Sequence, residues 1–213
     1  MKSTKTRHSN SSIWYPIIAF LIVFGTVLLL FGVYKVRQHI NQQRLLENER
    51  KFNRENDPVY QQHQKFIKQV ADPAVAQYKQ NQQVLPSVVI AQAILESDWG
   101  KSKLYQNAYN PFGIKGTYNG QSISYNTDEY IDNKRVTQVG QFRKYPDLQS
   151  AIEDHNQALY DKFLKKGGIT DYKEEAELLQ KNTYATDPKY AKKLINVIKT
   201  HGLDKYDKEA MQK

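Results

Sequence analysis

Residues 87–116 read SVVIAQAILESDWGKSKLYQNAYNPFGIKG, and the first third of that stretch decides how the rest is arranged. Pro86, just before it, suits a first helical turn, where its missing N–H costs nothing. Val88, Val89, Ile90, Ala91, Ala93, Ile94 and Leu95 then leave almost no polar face. A helix that is apolar all round belongs in a core, so the spacing predicts a buried helix over 86–97. Glu96 stands at its end, followed by Ser97, Asp98 and Trp99. Desolvation raises the pKa of a carboxyl at the edge of an apolar element. An acid that keeps its proton near neutral pH is what general acid catalysis needs. The same position suits a Glu that simply points into water.

Toward the C-terminus, 107–116 reads as a loop: Asn110 before Pro111 favours an extended or turn conformation, and Gly113 and Gly116 reach backbone shapes closed to other residues. Over 121–143 the apolar period changes, with Ile123, Tyr125, Tyr130, Ile131, Val136, Val139 and Phe142 among polar residues. That predicts a small antiparallel hairpin or three-stranded lobe turning at Asp132-Asn133-Lys134. Helical spacing returns with Leu148, Ala151, Ile152, His155 and Leu159. Further helices are predicted over 172–181, capped by Thr170 or Asp171, and 189–200, where Asp187-Pro188 starts the helix and Gly202 ends it. His155 beside Asp154 is read as structural, the two pointing to different faces.

Toward the N-terminus, 59–82 reads as helix with Tyr60, Phe66, Ile67 and Val70 on one face. Pro73 is expected to interrupt it, Asp72 capping a second helix through Tyr78. Residues 35–57 are rich in Gln, Asn, Arg and Glu and read as a helical or partly flexible stalk. Residues 13–34, IWYPIIAFLIVFGTVLLLFGVY, carry no charge. As a helix they rise about 33 Å, against a hydrocarbon core of roughly 30 Å, with Trp14, Tyr15 and Tyr34 at the ends where interfacial aromatics concentrate. The expectation is one uncleaved transmembrane helix, because the apolar run is too long for a signal peptide and no A-x-A-like site follows. Residues 1–12 are a basic tail and 207–213 a C-terminal tail, which leaves 58–206 as the folded domain.

Four blocks now stand in order: AQAILESDWGKSKL with NPFGIKG, TDEY, QFRKY, and TYATDPKYAKKL. Over roughly residues 60–203 the chain resembles the bacterial N-acetylglucosaminidases of glycoside hydrolase family 73, which are lysozyme-like peptidoglycan hydrolases. The resemblance implies a mainly α (α+β) fold, a lysozyme-like helical domain with a small antiparallel β-hairpin lobe. It implies Glu96 as general acid and Glu129 as the second active-site carboxylate, with Asp128 the fallback. It carries over Tyr184, and more weakly Tyr190, as cleft tyrosines. Asn110 and Phe112 follow as sugar contacts, joined by Trp99 and Tyr130 from the same blocks. Asp98 and Pro111 depart from the family pattern, and Asp98 is expected to raise the pKa of Glu96 further by like-charge repulsion.

Composition sets the outer limits. The 213 residues suffice for one domain plus an anchor. With no cysteine there are no disulfides or thiolate metal sites, and the five histidines are scattered without metal-ligand spacing, so no cofactor or metal is expected. Most of the net charge of +9 reads as a solvated surface; the sharper reading is attraction to a polyanion, which with this resemblance is an anionic cell wall rather than nucleic acid, for which no motif is present. Basic residues are more numerous after the apolar helix than before it, which by charge alone would retain the domain inside. The resemblance implies a wall substrate and so a cell-membrane protein with its catalytic domain outside. Gly25 and Gly32 form no GxxxG pair, which leaves a polytopic membrane protein partner open. Two rival readings remain at this stage: a lytic transglycosylase or muramidase on the same glycan, and a non-catalytic wall-binding scaffold.

Overall fold

The computed structural model describes residues 14–131 and 134–212, and for 14–16, 22–24, 27, 127–131 and 134–137 the backbone alone. The chain divides into two compact units, Met1–Tyr60 and Gln61–Lys213. The first is dominated by one continuous helix, α1 (Trp14–Glu55), 42 residues long. Its apolar half and the stretch read as a stalk are therefore a single rod. Among the described residues no helix is long and apolar enough to cross a membrane, and part of the 13–34 segment on which that expectation rested lies outside them.

The second unit is helical, with one hairpin. Helix α2 (Pro58–Asn81) runs straight through Pro73, contrary to the predicted break. Phe66, Ile67, Val70, Ala71, Ala74, Val75 and Tyr78 are buried on both sides of the proline. Burial along that face outweighs one missing backbone bond, since each Phe, Ile or Val buried there contributes about 1.5–3 kcal/mol. Asp72 caps nothing and instead pairs with Lys68 at 2.9 Å.

Helix α3 (Pro86–Ser97) is the central element, as its sequence requires: ten of its twelve residues are buried. Its N-terminus is satisfied from far along the chain. The Leu85 N–H donates to both carboxylate oxygens of Glu175 at 3.2 Å. The Ser87 N–H and Oγ donate to Asp207 at 2.7 and 2.6 Å. Both acids are buried. Asp207 belongs to α8 (Asp204–Met211), so the stretch read as a C-terminal tail is in fact a packed helix.

Around α3 stand α4 (Lys103–Ala108), α5 (Leu148–Leu159), α6 (Tyr172–Lys181), α7 (Tyr190–His201) and α8. Asp147 and Asp171 cap α5 and α6 with their side chains, and Gly202 closes α7 in the left-handed region. A five-residue π turn, Tyr160–Leu164, continues α5. Strands β1 (Ser122–Ile131) and β2 (Lys134–Arg143) form a two-stranded antiparallel lobe with Ser122 opposite Arg143 and Ile131 opposite Lys134. The two residues between the strands, part of the predicted turn, lie outside those described.

Candidate active site

Glu96 sits on the last turn of α3, and the backbone beyond it is unusual. Asp98, Trp99 and Gly100 have φ of 47°, 59° and 75°, three left-handed residues in succession. A non-glycine residue in that region costs roughly 1–2 kcal/mol, so the turn has to be held. Ser97 holds it: its Oγ donates to the Ala93 carbonyl at 2.5 Å and accepts from the Gly100 N–H at 2.8 Å, while its own carbonyl accepts from the Ser102 N–H at 2.9 Å. The helix therefore stops at one fixed residue and presents Glu96 at its rim. Glu96 as a whole is exposed, yet desolvation of its carboxyl raises its pKa, opposed by the Lys193 ammonium on α7. The charge that acts on Glu96 is thus Lys193, in place of the Asp98 effect expected from sequence. Lys193 is itself tied to Asp187 at 2.5 Å.

Two tyrosines accompany Glu96. Tyr184 is half-buried, its ring edge-on to Phe163 at 5.2 Å between centroids and tilted against Tyr190 at 5.4 Å. Phe163 comes from the π turn, whose wider coil also lets the Phe163 carbonyl accept from the Asn182 side chain. Tyr190 is buried and its hydroxyl accepts from Gln92 Nε2 at 3.0 Å. Burial raises the pKa of both phenols, and the nearby Glu96 charge adds to each. Both hydroxyls therefore stay protonated at any pH of interest. Glu96, Tyr184, Tyr190 and Lys193 are one electrostatic group, assembled from α3, the 182–189 loop and α7.

The remaining sequence-predicted residues are placed differently. Asn110 is 1% exposed and uses its whole amide on the backbone: Nδ2 donates to the Ile114 and Arg143 carbonyls at 3.0 and 2.9 Å, and Oδ1 accepts from the Ile114 N–H at 3.0 Å. It clamps the 110–114 loop to the base of β2. Phe112 is buried against His155, ring centroids 3.7 Å apart. Trp99 stacks on His63 at 3.6 Å and meets His201 edge-on at 4.8 Å, joining α2 to the end of α7. Glu129 and Tyr130 lie on β1 opposite Val136 and Arg135, and their side chains are outside those described. His155 and Asp154 do point apart: His155 is buried beside Asn156 with its pKa pushed down to about 4, and Asp154 binds Arg143 and Tyr145. Among the described residues no cluster of histidines and acids is arranged to hold a metal ion.

Sequence reading passed over two participants. Gln92 had a visible signal, the one polar residue in the middle of an otherwise apolar helix. Lys193 had none, because a lysine in an amphipathic helix looks like any solvated charge.

Comparison with known proteins follows the same boundaries. The glucosaminidase family model, described as mannosyl-glycoprotein endo-beta-N-acetylglucosaminidase, matches residues 72–203. The chain is 40% identical over 165 residues to the exo-glucosaminidase LytG of Bacillus subtilis, covering 73% of this chain and 57% of that protein. It is also 40% identical over 133 residues to a probable N-acetylmuramidase of Lactococcus lactis subsp. cremoris, covering 57% of this chain and 30% of the relative. The chain thus spans little more than half the length of the first and under a third of the second. Among solved structures it superposes on the catalytic domain of the autolysin Auto from Listeria monocytogenes with a TM-score of 0.64 and 35% identity, over 76% of this chain and 97% of that one.

Proposed function

The chain belongs to the glucosaminidase family matched over residues 72–203, and on that premise we propose that it is a peptidoglycan hydrolase cutting the β-1,4 bond between N-acetylglucosamine and N-acetylmuramic acid. The observation that carries this reading is the desolvated carboxyl of Glu96 at the rim of a buried helix, flanked by Tyr184 and Tyr190. Glycoside cleavage needs a proton for the leaving oxygen and stabilisation of an oxocarbenium-like centre. Glu96 supplies the proton. Glu129, on the lobe, is the second carboxylate, activating water or stabilising charge. Tyr184 orients the sugar at the point of cleavage.

The names of the relatives divide between glucosaminidase and muramidase, and product chemistry separates the two. The full chain is incubated with purified peptidoglycan, the products are reduced with borohydride, and the reduced terminal sugar is identified by mass spectrometry. Reduced N-acetylglucosamine ends that vanish in Glu96→Gln establish the reading. Reduced N-acetylmuramic acid ends make it a muramidase, anhydro ends a lytic transglycosylase, and retained binding without new ends a scaffold.

The same reading places the enzyme at the cell membrane, anchored by residues 13–34 with the catalytic unit outside. In support, that segment carries no charge and the described side chains Leu21, Leu29 and Leu30 on α1 are 60–68% exposed, a surface suited to hydrocarbon rather than water. The apolar stripe Leu29, Val33, Val36 and Ile40 would serve a polytopic membrane partner. Protease added to intact protoplasts should digest the catalytic unit, and protection would refute the orientation.

A further inference from the structure

Helix α7 meets α3 and the turn beyond it at two places that bracket the acid. Its first residue, Tyr190, accepts from Gln92 Nε2 at 3.0 Å, and its last, His201, meets Trp99 edge-on at 4.8 Å. Glu96 lies between Gln92 and Trp99, one turn beyond Gln92, and Lys193 lies between Tyr190 and His201, one turn beyond Tyr190. The two helices therefore bring Lys193 alongside Glu96, in accord with the charge felt at the Glu96 carboxyl. The Lys193 ammonium is also held, as a surface lysine ordinarily is not. Asp187 Oδ2 binds its Nζ at 2.5 Å, and Asp187 is itself fixed because its Oδ1 accepts from the Lys189 N–H at 2.8 Å. The start of α7 is tied to α6, where Gln180 Oε1 accepts from the Ala191 N–H at 2.9 Å. An ammonium has three hydrogens to give. Asp187 takes one of them, and the Lys193 side chain is 58% exposed. With Lys189 and Lys192 exposed on the same turn, the foot of α7 is net positive despite Asp187.

On the hydrolase reading above, the leaving oxygen that takes the proton from Glu96 is O4 of N-acetylmuramic acid. What distinguishes that sugar from N-acetylglucosamine is a lactyl group on O3, on the adjacent ring carbon. The lactyl group ends in a carboxyl, either free or joined to peptide through an amide. An acid placed to protonate O4 therefore has lactyl oxygens beside it, on the side where a held cation finds a use. We propose that Lys193 is a specificity-determining residue that binds the lactyl carboxyl oxygens of the muramic acid on the leaving side of the cut. To a free carboxylate it offers an ion pair, and to an amide a charged donor for the carbonyl oxygen. The contact is made to a part of the substrate that does not react, so its binding energy discriminates a muramyl glycan from a chain of N-acetylglucosamine alone. The proposal rests on the hydrolase reading and on the bond assigned there.

A matched pair of substrates isolates the contact. The first is peptide-free glycan strands, whose only carboxylates are the lactyl ones. The second is the same strands after carbodiimide coupling to methylamine, which keeps the lactyl carbonyl and removes its charge. The full chain is assayed on both at one pH and low salt, and kcat/KM is taken from reducing-end release. We expect wild type to prefer the carboxylate strands by about 5-fold, and the preference to shrink in added salt. Lys193→Arg should keep it and Lys193→Met should lose it. Removing Lys193 also alters Glu96, but that change acts on both substrates alike and cancels from the ratio. No preference in wild type, or a preference retained in Lys193→Met, overturns the lactyl contact while the hydrolase reading stands. If the reducing ends released are those of muramic acid, the lactyl group lies on the other side of the cut, and the proposal falls with the bond assignment. If wild type releases no ends from either strand, it is the hydrolase reading that fails.

Discussion

A β-carbon added at Gly100 would come within 2.7 Å of both Cδ2 and Cε2 of Phe66, and 3.1 Å from Tyr105. Phe66 is a core side chain, 4% exposed, and cannot swing away. Gly100 also holds the last of the three left-handed positions beyond Glu96, with φ of 75°. Gly100→Ala combines overpacking with backbone strain and should destabilise the catalytic unit by about 2–4 kcal/mol. Denaturant unfolding measures it. A change below about 0.5 kcal/mol would mean the turn relaxes freely.

Lys193 opposes the desolvation that raises the Glu96 pKa. Removing its charge, as in Lys193→Met, raises the Glu96 pKa further. On the proposed role of Glu96 as general acid the protonated form is the active one, so the alkaline limb of the pH–rate profile should move to higher pH. An unmoved limb would show that another group governs it.

Burial raises the Asp207 pKa from 3.8 to about 6 despite its hydrogen bonds to Ser87. The folded state therefore binds this proton more tightly than the unfolded chain. The resulting stabilisation is complete below about pH 4 and is lost as pH rises through 6, a difference of about 3 kcal/mol. Glu175 is shifted in the same direction. Thermal unfolding between pH 4 and 7 should show wild type losing stability with rising pH more steeply than Asp207→Asn, whose side chain stays neutral. Parallel curves would remove Asp207 from the balance.

Asn110→Ala deletes three hydrogen bonds that tie the 110–114 loop to β2. The expected loss is about 2–4 kcal/mol, accompanied by reduced turnover, because the clamp sits at the root of the strands that carry Glu129. Asn110→Asp should be an incomplete substitute, lacking the two donors to carbonyls. Full activity in Asn110→Ala at a temperature where it is folded would show that the lobe does not depend on this anchor.

What could be read from sequence was local. An apolar run ending in Glu96 announces the core helix and the place where it stops, and the hairpin announces itself by its change of period. What could not be read was long-range. Glu175 sits in a stretch, KEEAELL, that looks like a solvated helix face. It is buried because the Leu85 N–H, 90 residues away, needs an acceptor. Asn110 was expected to meet sugar, since an Asn in a loop says nothing about which carbonyls stand beside it. Trp99 was expected in the cleft, and its partners His63 and His201 lie 36 residues or more from it in each direction. Pro73 misled for the opposite reason: a local rule was overruled by burial along the whole of α2.

The two acids that cap α3 reach it across 90 and 120 residues of chain. On a ribosome, the helix that ends in Glu96 emerges long before either partner exists, with its apolar surface and its first N–H groups uncovered. Contacts of such separation form slowly, so the growing chain passes through a stage in which that apolar surface is open to aggregation. Completion of α8 ends that stage. The N-terminus of the helix that ends in Glu96 is thus fully capped only after the chain has been made as far as Asp207, 120 residues beyond Ser87.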